Sequence, residues 1–384
     1  MGPLYPALNH SKGEIMGPVI LFGATGSTGA ITLQALARRQ IPCIIVGRDS
    51  AHLHRLQSTH PNVTQIRLAN ADDPLSLAQA FQGAGVVINT VGPFIKWGLP
   101  VVEAAINAGA HYLDSTAEQP FQKNVLQRFH QVATQQNLTV LTGHACDFAF
   151  SYAGAALLQE RCGPLQECHT YHQLDDFKVS RGTARSALGM LTENYWSYHQ
   201  HQWQKQKPQW LPTPLRFPQD TSPSWAVPFP GGDVVLLPND LPSLHTCTAH
   251  LLLPRRDATG FALFNTLRPT LAGLLKGRPI AWMEKLAASR LQDPHPAERA
   301  SVQWRVIVHG RGEGGEHSCV IRGLDPYGIS GETLSLAAHW LFEGRSQRHG
   351  VTTTGCAFNA EEFLNTLADA GVSWEVHPTG PTYS

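Results

Sequence analysis

Neither sign of charge predominates in this sequence: 29 Lys and Arg stand against 29 Asp and Glu, a formal net charge of +0. That balance removes the electrostatic case for a nucleic-acid partner or an anionic membrane surface. Long apolar runs are missing as well, since no stretch reaches the roughly 18 residues that a membrane span requires. Phe261 to Leu275 is apolar enough to suit a greasy substrate wall, peripheral membrane contact or ordinary burial. The seven cysteines, at 43, 146, 162, 168, 247, 319 and 356, contain no C-x-x-C pair and are odd in number, which fits reduced thiols in a cytoplasmic protein. Lys12 is the single basic residue before Met16, so residues 1–16 read as a disordered leader or an upstream start, with no secretory signal. Three catalytic signatures are absent too. None of the eight tyrosines has Lys at +4, no G-x-S-x-G occurs, and His169-x-x-His172 and His199-x-His201 lack a third ligand at a telling spacing, so no metal is expected.

What is present begins at Pro18. Val19, Ile20, Leu21 and Phe22 form an apolar run of the kind a strand buried on both faces shows. Gly23, Gly26 and Gly29 follow at three-residue spacing, and helix-forming sequence runs from about Thr28 to Arg39. Strand, glycine turn and helix together define a phosphate-site hypothesis. Gly23 permits the tight turn, Gly26 lets backbone approach a pyrophosphate, and Gly29 lets the helix pack on the strand. The helix N-terminus offers N–H groups to phosphate, and Thr25, Ser27 and Thr28 add hydroxyls. A second apolar strand, Cys43 to Val46, ends in Gly47-Arg48-Asp49-Ser50. An NAD site carries an acid there for the ribose 2′-OH; Arg48 suits the 2′-phosphate of NADP, with Ser50 adding a donor. Asp49, if turned inward, would admit NAD.

Further alternation follows: a helix over 51–60, a strand over 64–68, and a helix from Pro74 to Phe81 capped by Asp72 or Asp73. Asp72 is also placed to meet adenine. Val86 to Thr90 is a strand leading into Val91-Gly92-Pro93-Phe94, a loop expected along the cofactor toward the nicotinamide. A helix is expected from about Leu99 to Ala108, a strand ending at Asp114, a helix from Glu118 to Gln136, and a strand over 139–142 that leads into Gly143-His144-Ala145-Cys146-Asp147. This is a doubly wound parallel sheet, an α/β Rossmann domain over 17–150. Residues 151–330 read as a second α/β domain with a mixed or antiparallel sheet, including strands over 244–253 and 301–322. Within it, 196–230 holds Trp196, Trp203, Trp210 and Trp225 among Gln, His and Pro, poor material for regular structure and suited to a lid or a packed excursion. A helix over 333–342 and another over 360–371 with Gly371 as C-cap close the chain.

The combination of GATGSTG, the Gly-Arg after the second strand, VGPF, VVEAAINAGAHYLD followed by Glu118, and GTARS resembles the saccharopine-dehydrogenase-like oxidoreductases. WAVPFPGGD (225–233) and GVTTTGCAFNAEEFLNTLADAG resemble their trans-acting enoyl reductase branch. The resemblance implies NAD(P)H-dependent reduction of a C=C or C=N bond, a substrate-binding second domain that pairs subunits as a homodimer, and residues 331–384 returning to the Rossmann domain. It places Gly23, Gly26, Gly29 and Arg48 on the cofactor motif and Asp114 and Glu118 on a D-x-x-G-E segment, with Ala117 in place of its glycine. Asp147 and Ser151 fall on a G-x-D-x-x-P-S-D-x-G pattern in which Phe150 and Tyr152 replace the proline and second aspartate.

The expected function is reduction, by NADP(H) in preference to NAD(H), of an activated C=C bond in an apolar or carrier-tethered small molecule. An imine or opine-type C=N reductase and a non-catalytic NADPH sensor are the alternatives. Reduction needs a proton source or charge stabiliser besides the cofactor. Candidates are His144, whose unperturbed pKa lies near 6.5, with Asp147, Tyr152 and Lys96. Asp114, Glu118, Arg181 and Thr183 are candidate substrate contacts, the first two doubling as helix caps.

Overall fold

The structure is a computed structural model that describes residues 17–383 apart from 208, 219, 276–281, 284–285 and 287–289; the expected leader over 1–16 lies outside the described residues. The chain forms two compact units. The first comprises residues up to Thr116 together with 123–146 and 327–352. The second comprises 117–122, 147–326 and 353–384.

In the first half of the chain, strands and helices alternate: β1 (Val19–Phe22), α1 (Ser27–Arg38), β2 (Cys43–Gly47), α2 (Ser50–Thr59), β3 (Val63–Leu68), α3 (Pro74–Phe81), β4 (Val86–Asn89), α4 (Phe94–Asn107), β5 (His111–Asp114), α5 (Gln119–Gln135) and β6 (Thr139–Leu141). β1, β2 and β4 are buried along their whole length, as the apolar runs require of parallel strands covered on both faces. α4 begins five residues before the expected Leu99. Pro100 sits inside its first turns, where the missing N–H costs one hydrogen bond without ending the helix.

The remaining elements are α6 (Ala149–Cys162), β7 (Leu165–Leu174), α7 (Arg181–Met190), β8 (Trp196–His199), β9 (Gln202–Lys205), β10 (Thr213–Arg216), β11 (Ser224–Pro228), α8 (Asp233–Asp240), β12 (Thr246–Leu253), α9 (Arg255–Leu275), α10 (Pro296–Ala300), β13 (Gln303–Gly312), β14 (Gly315–Leu324), α11 (Pro326–Phe342), β15 (Gly350–Val351), α12 (Thr354–Ala357), α13 (Ala360–Thr366), β16 (Ser373–His377) and β17 (Thr382–Tyr383).

The first sheet is parallel throughout, in the order β15-β6-β5-β4-β1-β2-β3. Strand order reverses between β1 and β4, the point at which open α/β sheets place their ligands. α11 completes this unit. Gly331 lets it approach α1 closely, because a Cβ there would lie 2.8 Å from Ile31 Cγ2.

The second sheet runs β16-β14-β13-β7-β12-β11-β10-β17, with the β8–β9 hairpin joined to β12. β7 and β12 pair in parallel and the other pairs are antiparallel, so the sheet is mixed. α6 lies on β13 and β14. Gly154 makes that approach possible, since a Cβ there would stand 2.8 Å from Val308 Cγ2. Phe150, where the resemblance expects proline, is a core aromatic stacked on Trp304 at 4.6 Å. The Trp-rich segment expected to be irregular instead supplies β8, β9, β10 and β11. The tail also differs from the expected single return to the Rossmann domain: 353–384 groups with the second unit. There Asp240 Oδ2 accepts from Thr353 N at 2.6 Å and Thr353 Oγ1 at 2.7 Å, and β16 pairs with β14.

α9 packs Ala258, Ala262 and Phe261 against Val227, Trp225, Leu251 and Leu253, while Leu263, Phe264 and Leu267 face outward. No described helix is long and apolar enough to cross a membrane.

Candidate functional site

At the end of β1 the chain turns through Gly23, whose φ of +93° and close neighbours fit glycine alone: a Cβ would stand 2.7 Å from Thr90 Oγ1 and 2.8 Å from Val91 Cγ2. Gly29 packs α1 onto this turn so tightly that a Cβ would lie 2.1 Å from the Gly23 carbonyl oxygen. Gly26 is different. It is exposed, serves as the N-cap of α1, and a Cβ there would meet only Gly23 O at 3.4 Å. α1 has no side-chain cap and no acidic residue in its first turn, so Ser27, Thr28 and Gly29 present N–H groups and a positive helix end. A bare glycine at the mouth of an uncapped helix fits a phosphate.

Arg48 is exposed just past β2. Asp49, the residue that would admit NAD by turning inward, instead caps α2 by accepting from His52 N at 3.0 Å. Ser50 opens α2, its hydroxyl 3.4 Å from His54 Nδ1. Asp73 caps α3 and so leaves that duty off exposed Asp72. Across the switch point, Thr90 Oγ1 donates to Phe22 O at 3.0 Å and Val91 N donates to Asn89 Oδ1 at 2.9 Å, which holds Val91, Gly92, Pro93 and Phe94 against the end of β1. The Gly92–Pro93 peptide is cis. Lys96 is exposed, its Nζ 4.6 Å from the Trp97 ring centroid.

Asp114 is wholly buried. Its Oδ1 accepts from Thr116 N (3.0 Å), Thr142 Oγ1 (3.2 Å) and Gly143 N (2.7 Å), tying the end of β5 to the end of β6. Asn89 Nδ2 donates to Tyr112 at 3.0 Å, and the Tyr112 hydroxyl lies beside the Asp114 carboxyl. Burial pushes that carboxyl up to about 6 against the pull of its donors. His144 N donates to Asp114 O at 2.7 Å, and Thr333 Oγ1 donates to His144 O at 3.1 Å. Burial drives the His144 imidazole down to about 3, so at neutral pH it is uncharged. The titration near neutrality that recommended His144 as proton donor is therefore lost.

The other candidates lie in the second unit. Tyr152 is buried, stacked on Phe148 at 6.0 Å, and its hydroxyl accepts from Gln122 Nε2 at 3.3 Å. Glu118 is fully buried. Gln119 Nε2 donates to Trp196 O at 3.0 Å and Gly231 O at 2.9 Å, while its Oε1 accepts from Trp196 N at 2.8 Å. Asp147 is half-buried; burial raises its carboxyl, His172 opposes the rise and Asp233 adds to it. Arg181 is exposed and paired with Asp293 at 2.9 Å, and Thr183 N donates to the Ser180 cap of α7 at 3.1 Å.

Two residues without a predicted role complete this cluster. Asp233, fully buried at the start of α8, accepts from the Ser151 hydroxyl, and its Oδ2 lies 3.2 Å from His172 Nε2. His169 and His172 are three apart on β7 and so face opposite sides of the sheet, the physical reason that spacing makes no metal pair. Among the described residues no group of three or more His, Cys, Asp or Glu is placed to hold a metal ion. The signal for Asp233 was its Gly-Gly-Asp segment: a Cβ at Gly232 would lie 2.2 Å from Gln122 Oε1, so the 118–122 and 231–233 segments require each other.

These features define the first unit as a dinucleotide-binding α/β domain, joined in one chain to a mixed-sheet unit. Residues 19–141 match the family model of the saccharopine dehydrogenase NADP binding domain. A trans-acting enoyl reductase of Mycobacterium tuberculosis (strain ATCC 25618 / H37Rv) is 35% identical over 135 residues, and one of Mycobacterium ulcerans (strain Agy99) is 32% identical over 135 residues. The aligned stretch spans 34% of this chain and 32% of each relative's length. Apo histidine-tagged saccharopine dehydrogenase (L-Glu forming) from Saccharomyces cerevisiae superposes with a TM-score of 0.61 at 13% identity, covering 94% of this chain and 100% of that one, a likeness of fold.

Proposed function

We propose that the protein is an NADPH-dependent reductase that adds hydride to an activated C=C bond of an apolar or carrier-tethered substrate. The observation that carries the reading is the glycine cradle with Arg48 beyond β2 and Asp49 committed to the α2 cap. The relatives named as trans-acting enoyl reductases support the C=C choice. So does the ion pair of Arg181 with Asp293, which occupies the cation that a small charged imine substrate would need. Gly23, Gly26, Gly29 and the start of α1 would hold the pyrophosphate, Arg48 and Ser50 the 2′-phosphate, Asp72 the adenine edge, and 91–94 the nicotinamide side. The cofactor supplies the hydride. Asn89 and Asp114 fix the loops around it.

A fluorescence titration of NADPH and NADH tests the cofactor assignment. NADPH is expected to bind at least tenfold more tightly, and Arg48→Ala to erase the difference, since a hydrogen bond to a charged group contributes about 1.5–3 kcal/mol. Equal affinities in the wild type would refute the Arg48 assignment. NADPH oxidation with trans-2-enoyl thioesters, against mixtures of an amino acid and a 2-oxo acid, separates C=C from C=N reduction. Tight NADPH binding with no turnover on either panel would leave the sensor reading.

A further inference from the structure

Within the first unit, three buried side chains join the carboxyl ends of β4, β5 and β6. Val91 N donates to Asn89 Oδ1 at 2.9 Å. A backbone N–H can only donate, so this bond fixes the Asn89 amide with Nδ2 toward Tyr112, whose hydroxyl oxygen it meets at 3.0 Å. With that oxygen engaged, the Tyr112 hydroxyl turns its own hydrogen to the acceptor beside it, the Asp114 carboxyl. The donors therefore all point one way, from Val91 to a carboxylate that can only accept. On the far side, Asp114 Oδ1 receives Thr142 Oγ1 and Gly143 N. Asn89, Tyr112 and Asp114 are each fully buried, so water offers no substitute partner. The titratable group facing the carboxyl is Tyr112; burial and the Asp114 charge raise its phenol well above the ordinary range, so it keeps its proton. His144, on the β6 side, meets Asp114 through its backbone N, and burial leaves its ring uncharged. Lys96 and Glu103, on α4, are exposed.

We propose that Asn89, Tyr112 and Asp114 form a positioning relay, in which the negative charge on Asp114 holds the 91–94 loop in the form that receives the nicotinamide ring. This rests on the cofactor reading above. A proton on the Asp114 carboxyl sets a donor against the Tyr112 hydroxyl. Tyr112 then accepts from Asp114 and turns its hydrogen on Asn89. The Asn89 amide rotates to accept it, and Val91 N is left against an NH₂ group. A donor facing a donor makes no bond, so the loop loses this tie to the end of β4. Burial pushes the Asp114 carboxyl up to about 6, so the charged form prevails at neutral pH and is lost as the pH falls through that value. At pH 5 roughly one molecule in ten keeps the charge, and a ligand that needs the charged form loses affinity by that fraction.

Two measurements on the full chain test this. The first compares the affinities of NADPH and 2′-phospho-ADP-ribose, which is the cofactor without its nicotinamide ring. Both carry the 2′-phosphate, whose own ionisation near pH 6 cancels in the ratio. In the wild type the advantage of NADPH is expected to shrink about tenfold between pH 7.5 and pH 5. Tyr112→Phe breaks the relay but leaves the carboxyl in place, so its ratio should be the same at both pH values. Asp114→Asn carries no charge and should show the low ratio at both. The second measurement needs no ligand. In protein labelled with ¹⁵N-valine, with the signal assigned through Val91→Ile, the Val91 amide resonance should move with a midpoint near pH 6 in the wild type and stay in place in Tyr112→Phe. A wild-type ratio that ignores pH, a Tyr112→Phe protein that keeps the whole change, or a Val91 resonance that does not move overturns the proposal. A wild type that binds neither nucleotide at either pH overturns the cofactor reading instead, and the Val91 resonance then decides by itself whether the relay exists.

Discussion

Gly29→Ala and Gly26→Asp are expected to fail in opposite ways, although both alter the same turn. At Gly29 the new Cβ would sit 2.1 Å from Gly23 O, 2.7 Å from Gly23 C and 2.9 Å from Ala24 Cα. All three are backbone atoms of the turn that follows β1, so no side chain can swing away. Overpacking a fitted core costs about 1–3 kcal/mol and occasionally more, and contact this close belongs at or beyond the upper end. A shift in Tm on the order of 10 °C should follow for a unit of this size, with NADPH binding lost in step. Gly26→Asp meets only one atom, at 3.4 Å, and its position is the N-cap of α1. Asp is a better N-cap than Gly by a few tenths of a kcal/mol, so Tm should hold or rise slightly. Yet the side chain fills the place where a phosphate would approach and sets a negative charge against it. NADPH affinity is expected to fall by at least about 100-fold, equivalent to about 2.8 kcal/mol. Calorimetry and NADPH titration on both variants separate the effects. A Gly26→Asp protein that binds NADPH like the wild type would mean that the α1 N-terminus is not the phosphate site.

The difference between those glycines also shows how far a sequence can be read. The spacing of Gly23, Gly26 and Gly29 after an apolar run was enough to place a tight turn between strand and helix, because strand, turn and helix follow from local chemistry alone. The parallel sheet was legible for the same reason: fully buried strands announce themselves as unbroken apolar runs. The hairpin of β8 and β9 was not. Its two turn residues, Gln200 and His201, adopt φ of +52° and +59°, a conformation that Asn-Gly normally signals. β15 and β16 were hidden because a two-residue strand and a half-exposed edge strand carry no periodicity. The buried polar cluster of the second unit was the least legible part. Gln119, His172 and Asp233 lie far apart in the sequence, and only tertiary pairing of β7 with β12 and the fit of Gln122 over Gly232 bring their segments together. His172 stood out in the sequence only as half of His169-x-x-His172, a spacing that puts the two rings on opposite faces of β7.

Acid should unfold this protein partly through His144. The ordinary imidazole pKa of 6.5 falls to about 3 in the folded chain because the ring is buried. Below pH 6.5 the unfolded chain therefore binds a proton that the folded chain refuses, and stability drops as the pH falls from 6.5 toward 3. At about 1.36 kcal/mol for each pH unit, the contribution lost over that window is on the order of 5 kcal/mol. His169, held at about 4, and His250, held at about 3, act with the same sign in the second unit. Asp114 acts with the opposite sign. Burial raises it from 3.8 to about 6, so the folded chain takes up the proton first, and acidification through about 6 to 3.8 stabilises the fold by this one group. Urea unfolding followed from pH 7 to pH 4 reads both. His144→Gln should flatten the loss of stability on acidification, by up to one proton's slope, whatever it does to stability at pH 7. Asp114→Asn should steepen that loss over the same range. Parallel curves for wild type and both variants would show that neither group changes its proton affinity on folding. Loss of packing lowers a curve without tilting it, so opposite tilts from two residues joined by a 2.7 Å backbone hydrogen bond identify burial of charge at the strand ends as their cause.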